Sequence, residues 1–176
     1  RQMDIERIVL KEMIEHDDSI RAIHAIPLSL RRFYIQAYQS FIFNQSLSAA
    51  FLGGENLFES TTGDVCFDSK SIIGKYKDGV EQYLALPFVG YSYYKKTRFD
   101  YYISKILNEE EISPKDFFIK EMQEVSSEGG FRQAAIHCSD YSSDKTNVSF
   151  SLSRGSFATI LLREIMKPTD PIVAGF

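Results

Sequence analysis

The sequence predicts a fold that mixes helices with short strands, and three features of its pattern predict it. Residues 28–51 run without Gly or Pro, and Phe33, Ala37, Phe41, Leu47 and Phe51 fall near helical spacing. Residues 55–94 change to short apolar runs, Asp64-Val65-Cys66-Phe67 and Tyr83-Leu84-Ala85-Leu86, punctuated by Gly63, Gly74, Gly79, Pro87 and Gly90, which reads as strands and loops. Val148-Ser149-Phe150-Ser151-Leu152 alternates as a half-buried strand should, and Phe157, Ile160, Leu161 and Ile165 then step by three and four.

In chain order, Ile5, Ile8, Val9, Leu10, Met13 and Ile14 predict a short amphipathic helix ended by His16-Asp17-Asp18. A further break falls at Pro27, and the helix over 28–51 is stopped by Gly53-Gly54. Tyr102, Ile103, Ile106 and Leu107 place a helix over 99–107, and Ser113-Pro114 reads as the N-cap and first position of another, closed off by Gly129-Gly130. Residues 133–138 are expected to form a strand, and 140–147 a polar Ser/Asp-rich connector. Ser156 is expected to cap the last helix and Pro168 to end it. The connector is the strongest internal boundary, so the expected parts are 1–137 and 145–176.

Composition excludes several classes. With 44% hydrophobic and 25% charged residues among 176, and no apolar run of membrane-spanning length, neither a disordered chain nor a transmembrane helix is expected. Residue 1 is Arg and no signal-peptide pattern follows, which suggests a piece of a longer protein. Cys66 and Cys138 lie far apart, without the spacing of a zinc site or a disulfide framework, which suggests a reducing, cytoplasmic setting. A net charge of −4 counts against non-specific phosphate binding, so any RNA contact must come from local patches. Common catalytic signatures are absent, and His16, His24 and His137 stand alone, so neither metal nor triad chemistry is expected.

Two stretches are more specific. Leu30-Arg31-Arg32-Phe33 followed by Tyr38-Gln39-Ser40-Phe41-Ile42-Phe43-Asn44 resembles the A-Y-Q-S-x-x-F-N helix of TruD-type tRNA pseudouridine synthases. Gly155-Ser156-Phe157-Ala158-Thr159, then Leu162-Arg163-Glu164 and Lys167-Pro168, resembles that family's C-terminal signature. Between them lie Pro87-Phe88-Val89-Gly90-Tyr91 and Ser127-Glu128-Gly129-Gly130-Phe131-Arg132, in the order of archaeal-type members. The resemblance spans nearly the whole chain.

It implies a mixed α/β (α+β) fold, with 1–137 a helix-rich insertion domain and 145–176 a strand and helix of the catalytic domain. It also implies isomerisation of uridine to pseudouridine in tRNA, usually at uridine 13, without metal or organic cofactor. The resemblance sets Phe157 against an extruded uracil, where a flat ring can hold the base. Arg154, Arg163 and Lys167 are candidate RNA contacts, with Lys95, Lys96 and Arg98 beside Tyr93 and Tyr94 a second patch, although solvated surface is the better reading of the two lysines. Arg163 and Glu164 are alternatively groups that orient their neighbours.

The family's catalytic Asp stands in a G-x-K-D motif that these 176 residues lack, so no catalytic residue is assigned and this stretch alone is expected to be inactive. Lys77-Asp78 follows Gly74-Lys75-Tyr76 on the wrong side of the 28–51 helix and is set aside. The expected partners are tRNA and the N-terminal catalytic half of the same protein, with no membrane; the cytoplasm is the expected compartment, or the nucleus in a eukaryote. Core packing is the favoured reading of the helix around Tyr38, with Gln39, Ser40 and Asn44 fastening it. Two other classes fit the composition: a non-catalytic RNA-binding module and an acidic protein-interaction domain.

Overall fold

The computed structural model describes residues 4–94, 96–153 and 156–175. The fold is mixed α+β, and the chain divides into two compact units, residues 1–134 and 135–176. No helix among the described residues is long and apolar enough to cross a membrane.

The first unit opens with helix α1 (Asp4–His16). Asp17, at φ 51°, turns the chain, and the Asp18 carboxylate caps α2 (Ser19–His24) by accepting from the amides of Ile20 and Arg21, both at 3.0 Å. The sequence pattern predicts no element there. Helix α3 (Leu28–Leu52) follows Pro27, whose fixed φ suits a helix start. Its buried face is Gln39, Ile42, Phe43, Ser46 and Ala50, one stripe at three- and four-residue steps. The spacing that predicts this helix rests on other residues, and Phe33, Phe41 and Phe51 are exposed. Gly53 keeps an ordinary helical φ of −75° and makes room for the Tyr102 ring; the left-handed residue that ends the helix is Gly54, at φ +89°.

Strands β1 (Val65–Asp68), β2 (Ile73–Lys75) and β3 (Gln82–Phe88) are joined by β4 (Gly130–Gln133) in an antiparallel sheet of order β2-β1-β3-β4. Pro87 lies inside β3 rather than ending it. Its partner is Phe131 on β4, whereas pairing with β1 stops at Leu84, so its missing N–H costs no bond to β1. Helix α4 (Asp100–Glu109) buries Ile103, Ile106 and Leu107 against α3 and β3, with Leu84, Leu86, Val89 and Phe99 in the same core. Ser113-Pro114 opens a helix as expected, but it is a 3₁₀ turn, Pro114–Phe117. The Asp116 carboxylate accepts from the Ser113 amide at 2.7 Å and its hydroxyl at 2.9 Å. A second 3₁₀ segment, Lys120–Val125, leads to the loop before β4.

That loop packs hard against the end of β3. A side chain on Gly90 would meet the backbone of 127–129, and one on Gly129, at φ +85°, would meet the Phe88 carbonyl oxygen at 2.5 Å. Gln39, fully buried, fastens the contact: its amide donates to the Val89 carbonyl at 2.6 Å and its carbonyl accepts from the Ser127 hydroxyl at 3.0 Å. The expected fastening role therefore holds for Gln39. Ser40 bonds back to its own helix at the Gln36 carbonyl, and Asn44 is exposed.

The second unit begins a little before the predicted boundary. Residues 134–137 carry no strand, and the first half of the predicted connector, 140–143, belongs to β5 (Cys138–Ser143), which pairs antiparallel with β6 (Val148–Leu152) as a hairpin whose turn is 144–147. The Ser and Asp content that suggests a loop reflects a strand that is almost entirely exposed. Helix α5 (Ala158–Met166) completes the unit.

Candidate functional site

The second unit carries the residues singled out from the sequence. At the hairpin turn the Asp144 carboxylate accepts from the amides of Thr146 and Asn147, each at 2.7 Å, and these bonds draw its pKa down to about 2. Beyond β6, the residue at the N-cap of α5 is Phe157, with extended backbone at φ −104° and ψ 111° and no side-chain cap. Ser156, expected to cap the helix, instead shares a 3.0 Å hydrogen bond with the Ser153 hydroxyl. Phe157 is 73% exposed. At the other end Lys167 closes α5 in the left-handed region, φ 42°, its amide on the Arg163 carbonyl at 2.7 Å, with Pro168 after it.

Phe157 and Lys167 therefore sit at opposite ends of one short helix, about 15 Å apart along its axis at 1.5 Å per residue. Arg163 is partly exposed, and its guanidinium lies 3.5 Å from Glu164, a loose pair of neighbours. Arg154 and Gly155 fall outside the described residues. The unit has no finished core. Among its described residues none is buried, and Ile160, Ile165 and Met166 of α5 are at least 40% exposed. A short apolar helix and a two-stranded hairpin are each marginal in water by themselves.

The second candidate patch, in the first unit, is corrected by the structure. Arg98 is a structural residue. Its Nε donates to Asp64 at 3.1 Å, one Nη to Glu55 at 2.8 Å, and the other Nη to the carbonyls of Asn56 and Glu59 at 3.1 and 3.2 Å. It also lies over the Phe99 ring, and with two carboxylates on it no charge is left for phosphate. Tyr93 is used internally too: its hydroxyl donates to Asp100 at 2.8 Å, and burial, followed by that carboxylate, raises its pKa. Lys96 lies 4.9 Å from the centre of the exposed Tyr94 ring, and Lys95 is outside the described residues. Asp78 is a turn residue that accepts from the Gly79 amide at 3.1 Å and the Tyr76 hydroxyl at 3.4 Å.

Among the described residues, one group of side chains has metal-ligand geometry: Glu12, Glu15 and His16, on the surface of α1. Their carboxylates already face Arg21 and Lys11. The sequence pattern attaches no role to Arg132, whose guanidinium stacks on Phe88 at 4.2 Å and Phe43 at 5.3 Å. A lone Arg in a strand carries no signal of that stacking.

The family model described as tRNA pseudouridine synthase D (TruD) matches residues 1–165. A relative from Pyrobaculum islandicum, named "Probable tRNA pseudouridine synthase D", is 33% identical over 175 residues, covering 97% of this chain and 42% of the relative. One of the same name from Methanopyrus kandleri is 31% identical over 172 residues, covering 93% and 40%. A crystal structure from Methanosarcina mazei, of a protein called tRNA pseudouridine synthase D, superposes with a TM-score of 0.81 at 25% identity, covering 97% of this chain and 46% of that one. The chain thus spans less than half the length of these relatives, while the match runs through both of its units. The chain belongs to the TruD family of tRNA pseudouridine synthases.

Proposed function

We propose that this chain is the C-terminal portion of a synthase that converts uridine to pseudouridine in tRNA, with uridine 13 as the target the family implies. The observation that carries the reading is the unfinished second unit: a hairpin and an apolar helix with no buried residue, headed by an exposed phenylalanine in the family's signature. Such a piece acquires a core by packing on further structure, and the catalytic half with the G-x-K-D segment supplies it. Residues 1–134 form the insertion domain in this reading, and 135–176 complete the catalytic one.

In the assembled enzyme the Asp of the upstream segment acts at the linkage between sugar and base. Phe157 stacks on the uracil once it has left the helix, against a few kcal/mol of lost stacking and pairing. Arg163, Glu164 and Lys167 hold the surrounding backbone or RNA phosphates. Arg154, which directly precedes the signature, is assigned with them.

The test is pseudouridine formation on unmodified tRNA by the complete protein, with the product position mapped. Phe157→Ala is expected to lower kcat at least tenfold, and Phe157→Tyr to restore most of it, because stacking needs the ring. Equal rates for Phe157→Ala and the parent would overturn the assignment of Phe157. No product at any uridine would overturn the reading itself.

A further inference from the structure

The first unit contains a recess that no part of the proposed chemistry uses. It is formed by the α3 face carrying Arg32, Phe33, Gln36 and Ser40, opposite the end of the second 3₁₀ segment, the loop after it and Arg132 of β4. It consists of two hollows of about 300 and 430 Å³ that share Gln36 and Ser127 as a common wall.

Its two arginines differ from Arg98 and Arg31. Arg98 is held by Asp64 and Glu55, and Arg31 by Glu124 at 2.7 Å, which also accounts for the carboxylate at the rim of the smaller hollow. Among the described residues neither Arg32 nor Arg132 has a carboxylate within ion-pair distance. Arg32 gives its Nε to the Glu124 carbonyl at 2.9 Å. Arg132 makes one long bond, 3.4 Å, to the Ser40 hydroxyl. Its guanidinium carbon lies over the Phe88 ring, 4.2 Å from the ring centre, and the single long bond leaves further N–H groups for another partner. Partial burial lowers its pKa, as expected of a cation short of a counter-charge.

The recess is also rigid at its base. Gln39, fully buried, ties the loop at Ser127 to the β3 end at Val89, and Gly90 and Gly129 let the two backbones touch. Phe33, 59% exposed, stands on the same helix face as Gln36 and Ser40. Guanidinium groups without carboxylate partners, amide and hydroxyl groups and an exposed aromatic ring are the chemistry that holds an unpaired strand by its phosphates and one base face.

We propose that this recess docks single-stranded RNA, with Arg132 and Arg32 taking phosphate oxygens of its backbone and Phe33 stacking on a base. It deepens the synthase reading by giving the first unit a share of the RNA contact, and rests on that reading for the choice of RNA.

The experiment is fluorescence anisotropy of a short labelled oligouridylate with the 176-residue chain over a series of salt concentrations. Arg132→Gln and Arg32→Gln are each expected to weaken binding about tenfold and to reduce the salt slope by about 0.7 for each phosphate that is no longer neutralised. Because a variant can misfold, amide resonances of the unsubstituted chain are followed in the same titration, and Gln36, Ser127 and Gly129 are expected to shift. Failure of the unsubstituted chain to bind, unchanged affinity in both variants, or equal competition by polyglutamate would each overturn the proposal. Activity separates this test from the previous one. Arg132→Gln in the complete enzyme is expected to raise KM for tRNA with kcat preserved. Product formation with both variants binding like the parent would discard the recess alone, whereas RNA binding at the recess with no product would discard the enzyme reading alone.

Discussion

Arg98 offers the sharpest test of how the first unit is held together, because the sequence places it in a basic patch and the structure makes it an anchor. Arg98→Met keeps an unbranched chain beside Phe99 but removes every polar contact. It leaves Asp64, whose side chain is 4% exposed, without its cation, and Glu55 and the carbonyls of Asn56 and Glu59 without their donors. Removing one partner of a buried pair costs about 3 to 5 kcal/mol. Arg98 and Glu55 retain 27% and 23% exposure, so the low end applies. A loss of about 3 kcal/mol corresponds to a Tm roughly 10 °C lower for a unit of this size. Thermal melts by far-UV circular dichroism measure it. Asp64→Asn added to Arg98→Met should cost less than the two changes separately, by about 1 kcal/mol or more, since the buried charge is then gone. A melt within about 1 °C of the parent, together with a fall in RNA affinity, would refute the anchor and restore Arg98 to a surface role.

Gly129→Ala places a Cβ at φ +85° and 2.5 Å from the Phe88 carbonyl oxygen, so chemical denaturation should show a loss of about 2 to 3 kcal/mol; an unchanged midpoint would mean that the loop can lift from β3. Asp144 makes a pH-dependent turn. Its folded pKa is depressed to about 2, so its stabilisation is complete above the ordinary carboxylate value near 4 and is lost as pH falls through 2. Carboxyl NMR should follow that titration, with the amides of Thr146 and Asn147 shifting alongside. A midpoint near 4 would show that the turn is not held this way.

Helices are legible where one periodicity runs long enough. The 28–51 spacing locates α3 to within a residue, yet it picks out the wrong stripe, because Gln39 and Ser46 are buried polar residues and Phe33 and Phe51 are exposed. Hydrophobicity alone does not reveal that Gln39 is buried in order to bond Val89 and Ser127, far away in sequence. Pro87 reads as punctuation, whereas the register lets it sit inside β3. Residues 140–143 read as loop from polar composition, which fails for a strand exposed on almost every residue. Among site residues, Arg98 shows how an arginine in a basic cluster can be consumed by carboxylates from another segment. The stacking of Arg132 on Phe43 and Phe88 is a tertiary arrangement that no local pattern encodes.

The central claim is that these residues complete a catalytic domain begun elsewhere in the same protein. The most direct measurement is pseudouridine formation on unmodified tRNA by the 176-residue chain alone, and by the chain mixed with a separately made N-terminal half carrying the G-x-K-D segment. The account predicts product only from the mixture. Product from the chain alone would contradict it, and would return Asp78 to consideration as the nucleophile.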